Sequence, residues 1–129
     1  NFRFLPYQEK SVLPFSLTAG DVSLVSVADG MESLVAPSKL YPAMATGRPI
    51  AAICPRNSYL RSLIAAAESG ATFDNGDAES LANYIRHLSN DQKAAQRAGY
   101  SAREYMQANF TPHLIAQKYL EVSKQTICT

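Results

Sequence analysis

Charge of one sign, long apolar runs and closely spaced cysteines are all scarce in this sequence. Twelve basic residues stand against eleven acidic ones, a net charge of +1, so the electrostatic footprint of a nucleic-acid binder is missing. No apolar run approaches the roughly 20 residues that a membrane helix needs, and no signal-peptide pattern opens the chain. A soluble, cytoplasmic protein is expected. The two cysteines, Cys54 and Cys128, have no His or Cys at metal-ligand spacing, which argues against a metal site and fits two free thiols in a reducing compartment. Cys54 reads as a small buried strand residue. Repeats, low-complexity tracts and internal linkers are absent, and 129 residues suffice for one domain with a core of its own. The chain opens on Asn1 and is expected to be an excised part of a longer protein.

What is present is an alternation of strand and helix signals. Phe2 to Leu5 alternates and ends at Pro6, a first short strand that opens into Tyr7-Gln8. Pro14 suits the first position of a short helix running to Ala19, where its missing N–H costs nothing; Gly20-Asp21 ends it. Val22 to Val27 reads as a strand inside a parallel sheet. The loop Ala28 to Val35 follows, with Gly30 and the acidic Glu32. Pro37-Ser38 starts a short helix, Ser38 serving as its cap, and Gly47 with Pro49 stops it. Ile50 to Cys54 has the length of a buried strand.

Pro55-Arg56-Asn57-Ser58 forms the next strand-end loop, in which Arg56 reads equally as a phosphate contact and as a solvated cation. The helix from Tyr59 to Glu68 carries a core stripe at Leu60, Leu63, Ile64 and Ala67, with Gly70 as its stop. Ala71 to Phe73 is a short strand and Asp74-Asn75-Gly76 a turn. Asp77 caps a helix whose apolar face is Leu81, Tyr84, Ile85 and Leu88, leaving His87 on the surface. Asp91 caps a long helix striped by Ala94, Ala98, Ala102, Tyr105 and Met106. Thr111-Pro112 restarts the chain as a last helix with Ile115, Tyr119 and Val122 facing inward. The order predicts a Rossmann-like three-layer α/β fold, a parallel sheet of about four short strands with helices on both faces.

In such sheets ligands sit at the carboxyl ends of the strands. A helix that starts just behind a strand end gathers unpaired N–H groups and the positive pole of its dipole, which suits a phosphate. Ser38, Lys39 and Leu40 would supply backbone N–H groups there, and Lys39 a cation as well. A cation in a first helical turn is unfavourable unless an anion is bound. Donors already aimed at a phosphate also stabilise charge growing on it as a leaving group.

The stretch Ala36-Pro37-Ser38-Lys39-Leu40-Tyr41-Pro42-Ala43-Met44-Ala45-Thr46-Gly47-Arg48-Pro49 resembles the donor-binding motif of GT-B glycosyltransferases, family 4 (group 1). Its Pro37 to Tyr41 is similar to the Pro-Ser-Lys-Leu variant of a subgroup that builds bacterial surface polysaccharides and other glycoconjugates. The resemblance continues through Asn1 to Leu5, Ala19 to Val22, Gly76 to Leu81 and Asn109 to Thr111. It implies the C-terminal donor-binding domain of a retaining enzyme that moves a sugar from a nucleotide diphosphate to an acceptor hydroxyl, with no tightly bound metal or cofactor. It further implies an N-terminal acceptor domain that this chain lacks, so that the isolated chain is inactive. Work on lipid-linked acceptors at a membrane surface is a trait of the family that the full-length protein would share.

By the same resemblance Tyr7 and Gln8 lie beside the nucleobase, although Pro6 stands where the family usually has Gly. Gly30, Met31 and Ser33 line the donor. Two glutamates of the family flank the phosphate-binding helix start, and Leu34 and Pro42 occupy their positions here. Glu32 is then the candidate catalytic residue, with a solvated loop carboxylate as the other reading. If the last helix passes back to the missing domain, Tyr119 and Leu120 are exposed. Three alternatives stay open: a nucleotide-sugar epimerase of the GT-B type, a non-catalytic nucleotide-binding module, and a signalling receiver domain. For the last, Asp21 precedes its strand and Asp29 stands alone where an acidic cluster is needed.

Overall fold

The computed structural model describes residues 3–127. Asn1, Phe2 and Cys128 lie outside the described residues, and with them the start of the expected first strand and the second thiol. Three parallel strands form the sheet in the order β1 (Ser23–Ser26), β2 (Ile50–Ile53), β3 (Gly70–Phe73). Val25 stands beside Ala52, and Ala52 beside Thr72. Helix α1 (Leu13–Thr18) precedes β1, α2 (Leu40–Ala45) joins β1 to β2, and α3 (Tyr59–Ala66) joins β2 to β3. Helices α4 (Ala78–Asn90), α5 (Gln92–Asn109) and α6 (Pro112–Ile127) close the chain.

Side chains alternate across a strand, and that alternation divides the layers. Val25, Ile50 and Ala52, with Val27 and Cys54 just past the strand ends, meet Leu40, Ala43 and Met44 of α2, Leu60 and Ile64 of α3 with Ala67 just beyond it, and Ala102 of α5. Two crossovers in the same direction put α2 and α3 on one face. On the other face Phe73 tilts against Tyr84 of α4, ring centroids 5.5 Å apart. That cover ends before β1, where Leu24 is 59% exposed. Among the described residues no helix is long and apolar enough to cross a membrane.

The start of α2 departs from the sequence expectation. Lys39 occupies the cap position with a helical backbone, φ −68° and ψ −20°, and no side-chain cap bond is made; a capping Ser requires a non-helical backbone. The Leu40 N–H donates to the Pro37 carbonyl at 2.9 Å instead. Burial decides the helix: Leu40 and Met44 are completely buried, each contributing on the order of 1.5–3 kcal/mol, against about 1 kcal/mol for the cap. Ser58, Asp77 and Asp91 do cap their helices, accepting from Leu60, Ser80 and Ala94.

Other expectations change as well. The sheet has three strands among the described residues, not four, because Arg3 to Leu5 make no strand; Pro6 follows at once and removes a ladder donor. Helix α3 is ended by Glu68 at φ +47°, not by Gly70. Gly70 opens β3, where a Cβ would lie 1.8 Å from the Ile50 carbonyl oxygen. In α6 Ile115 is half-buried, but Tyr119 and Val122 are exposed rather than inward. This stretch of α6 keeps its amphipathic pattern in solvent and adds nothing to the core cluster. Tyr119 and Leu120 are 72% and 60% exposed.

A second close backbone approach joins α5 to the end of α2. Gly47 has φ +68°, and a Cβ on Gly99 would lie 2.1 Å from the Gly47 carbonyl oxygen. Helix propensity alone makes Ala better than Gly by about 0.8–1.0 kcal/mol, whereas forcing two backbones apart costs about 1–3 kcal/mol. Gly99→Ala is therefore expected to lower the urea midpoint of unfolding; an unchanged or higher midpoint would show that α2 and α5 do not need this contact.

Candidate functional site

The loops after β1, β2 and β3 leave the same end of the sheet, as parallel strands require, and side chains bind them into one crest. The Asn75 amide donates to the Val27 carbonyl at 3.2 Å and to Asp29 Oδ1 at 2.7 Å, joining the β3 loop to the β1 loop. The Asn57 amide donates to Glu32 Oε1 at 2.9 Å, joining the β2 loop to the β1 loop. Asp74, at the end of β3, takes Arg56 on Oδ2 at 2.8 Å and Arg61 on Oδ1.

Arg61 is the fixed centre of this crest. Its Nε donates to the Pro55 carbonyl at 3.1 Å, Nη2 to the Cys54 carbonyl at 2.9 Å and to Asp74, and Nη1 to Thr72 Oγ1 at 3.3 Å. One guanidinium on the first turns of α3 thus satisfies carbonyls that a strand end would leave open. The hydrogen bond from Arg56, then the charges of both guanidiniums, hold the Asp74 carboxyl below the usual aspartate range. Sequence reading passed over Arg61, which sits beside the apolar stripe of its helix and has its acidic partner on another element.

Glu32 is partly buried, not fully solvated. Its own backbone N–H, then the Asn57 amide, hold its carboxyl below the usual glutamate range. Oε2 is buried and has no hydrogen-bond partner. Gly30, at φ +78° with open space where a Cβ would be, makes the turn into Met31, whose N–H donates to the Ala28 carbonyl at 3.1 Å. Met31 and Ser33 are exposed. Gly30, Met31, Glu32 and Ser33 therefore share one loop on the crest.

At the start of α2 the expected donors are not equal. The Leu40 N–H is already used by the Pro37 carbonyl and its side chain is fully buried, so it offers nothing to a ligand. The N–H groups of Ser38 and Lys39 find no partner among the described residues, and both residues are exposed. Tyr41 is tied inward, its ring edge-on to Phe110 with centroids 5.0 Å apart. Tyr7 is fully exposed, and the Gln8 amide donates to the Pro6 carbonyl at 2.9 Å. Neither is joined to the crest by a hydrogen bond or ring contact among the described residues.

Two further features lie apart from this arrangement. A cleft of about 530 Å³ opens at the opposite, amino-terminal end of the strands, lined by Val22, Arg48, Pro49, Leu88 and Gln92 among others; it holds none of the candidate site residues from Tyr7 to Leu40. Cys54 is free and buried, and burial pushes its thiol up, away from reactivity.

Comparison with known proteins points the same way as the fold. The family described as "Glycosyl transferases group 1" matches residues 1–105. A curated protein, "Probable glycosyltransferase WbjE" of Pseudomonas aeruginosa, is 30% identical over 118 residues, 92% of this chain but 28% of that protein. Among solved structures, the sucrose-phosphate synthase of Thermosynechococcus elongatus superposes with a TM-score of 0.77 at 25% identity, covering 98% of this chain and 30% of the synthase. The chain thus spans less than a third of the length of these relatives.

The folded pKa of Asp74 lies below its unfolded value of about 3.9, so its stabilising contribution is complete above that value and is lost as pH falls through the folded one. Stability followed by urea unfolding is expected to decline over that acid range in the wild type. Asp74→Asn is expected to be less stable at neutral pH and to show a shallower acid decline. Equal acid limbs in the two proteins would remove Asp74 as an anchor of the crest.

Proposed function

The chain belongs to the group 1 glycosyl transferases, and on that premise we propose that it is the donor-holding C-terminal domain of a retaining GT-B enzyme. That enzyme transfers a sugar from a nucleotide diphosphate to an acceptor hydroxyl, in cytoplasmic synthesis of a bacterial polysaccharide or glycoconjugate. An N-terminal domain of the same polypeptide supplies the acceptor site, a division favoured by the share of the relatives' length that this chain spans. The full-length protein meets lipid-linked acceptors at a membrane surface through contacts outside this chain.

The observation that carries the reading is the pairing of a polar crest at the carboxyl ends of parallel strands with the open Ser38 and Lys39 N–H groups at the start of α2. Backbone N–H groups and a lysine at that position favour a diphosphate, and the same donors stabilise the charge that develops on it when the sugar leaves. Glu32, docked on Asn57 in the adjoining loop, takes the place of the first family glutamate toward the sugar. Tyr7 and Gln8 meet the base when the donor is bound. A second reading, a nucleotide-binding module without catalysis, is favoured by Leu34 and Pro42, which stand where the resemblance places both glutamates.

Titration of the 129-residue chain with UDP, GDP and ADP, followed at the backbone amides by NMR, tests the donor site. One nucleotide is expected to shift Gly30 to Ser33 with Ser38 and Lys39, and Lys39→Ala to weaken it about two- to fivefold, the range of an exposed ion pair. Absence of shifts for all three at millimolar concentration would end the donor-holding reading. No sugar transfer is expected from these residues alone, and turnover by them would overturn the assignment of the acceptor site to another domain.

A further inference from the structure

Asp74 draws more positive charge than one carboxylate requires. Arg61 meets Oδ1 and Arg56 meets Oδ2, but the two guanidiniums are held very differently. Arg61 is 27% exposed and is fixed by three further acceptors, the carbonyls of Cys54 and Pro55 and the Thr72 hydroxyl. Arg56 is 87% exposed, and its side-chain hydrogen bonds among the described residues both end on Asp74 Oδ2. An exposed pair of that kind is weak and screened by salt. Arg56 can leave it at small cost, and Asp74 stays paired with Arg61 when it does.

The position of Arg56 gives it somewhere to go. It neighbours Asn57, whose amide holds Glu32 and so ties the β2 loop to the loop that leads into Ser38 and Lys39. An arginine fork matches two phosphate oxygens, and a diphosphate offers more negative charge than a carboxylate already shared with Arg61.

We infer that Arg56 is an exchangeable cation of the crest, which leaves Asp74 to Arg61 and closes on the phosphates of a bound nucleoside diphosphate. This role rests on the donor-holding function proposed above, and it goes beyond it by naming a ligand contact on the β2 loop. The opposite signs expected of two substitutions separate the role from a structural one. Arg56→Gln removes the cation, whereas Asp74→Asn releases it.

The test is the dissociation constant of whichever of UDP, GDP and ADP the wild-type chain binds, measured for wild type, Arg56→Gln, Arg56→Lys and Asp74→Asn, with folding checked by circular dichroism. Arg56→Gln is expected to raise the dissociation constant about three- to fivefold. The difference should vanish near 1 M salt, where the Debye length falls to about 3 Å. Arg56→Lys, which keeps the charge but not the fork, is expected to fall between wild type and Arg56→Gln, and Asp74→Asn to bind more tightly than wild type. Equal affinities for wild type and Arg56→Gln, or weaker binding by a folded Asp74→Asn, would overturn this role and leave the donor-holding function standing. No binding by the wild type would overturn both. If Asp74→Asn does not fold, the salt-dependent loss in Arg56→Gln and its partial recovery in Arg56→Lys decide the matter alone.

Discussion

Four acceptors on one guanidinium hold the carboxyl end of the sheet in shape. Arg61 reaches the carbonyls of Cys54 and Pro55 just past β2, a hydroxyl of β3 and the carboxylate of Asp74. Strand ends next to one another expose carbonyls that water would otherwise serve, and a planar, permanently charged group with five donors suits several of them at once. The loops after β1 and β3 are then joined through Asn75, and those after β1 and β2 through Asn57. Loss of that centre would leave three loops with only pairwise ties.

The two ends of the sheet are built on different physics. At the amino-terminal side, backbone meets backbone: Gly99 against Gly47 and Gly70 against Ile50, each with room for no side chain. Such contacts are stiff. At the carboxyl end the contacts are polar side chains on exposed loops, and a ligand can replace their partners. The apolar core between them, with Leu40, Met44, Ile50, Leu60 and Ile64 completely or almost completely buried, fixes the distance between the rigid end and the adaptable one. The loop that holds Glu32 leads on into the start of α2, where Leu40 is completely buried.

The apolar surface left uncovered has a pattern of its own. Phe4, Leu5, Phe15 and Leu24 near the start of the chain, and Tyr119 and Leu120 near its end, are all exposed. The chain spans less than a third of the length of the relatives it matches.

Much of this was legible in the residues taken by themselves, where the signal is local. The apolar runs of β2 and β3, the caps Asp77 and Asp91, the core stripe of α3 and the Ala-Met-Ala-x-Gly-Arg-Pro stretch each depend on residues a few positions apart. Steric and hydrogen-bonding preferences act at that range before any tertiary contact forms. Ser38 failed as a cap because burial of Leu40 and Met44 outweighs a single hydrogen bond. Tyr119 and Val122 failed as core because periodicity states which residues share a face, not whether anything lies under it. The tertiary structure alone decided that Arg61 centres the crest, that Asn57 holds Glu32 across 25 positions and that Asn75 holds Asp29 across 46. Pairs so far apart in the chain have no local signature until parallel strands bring their ends side by side.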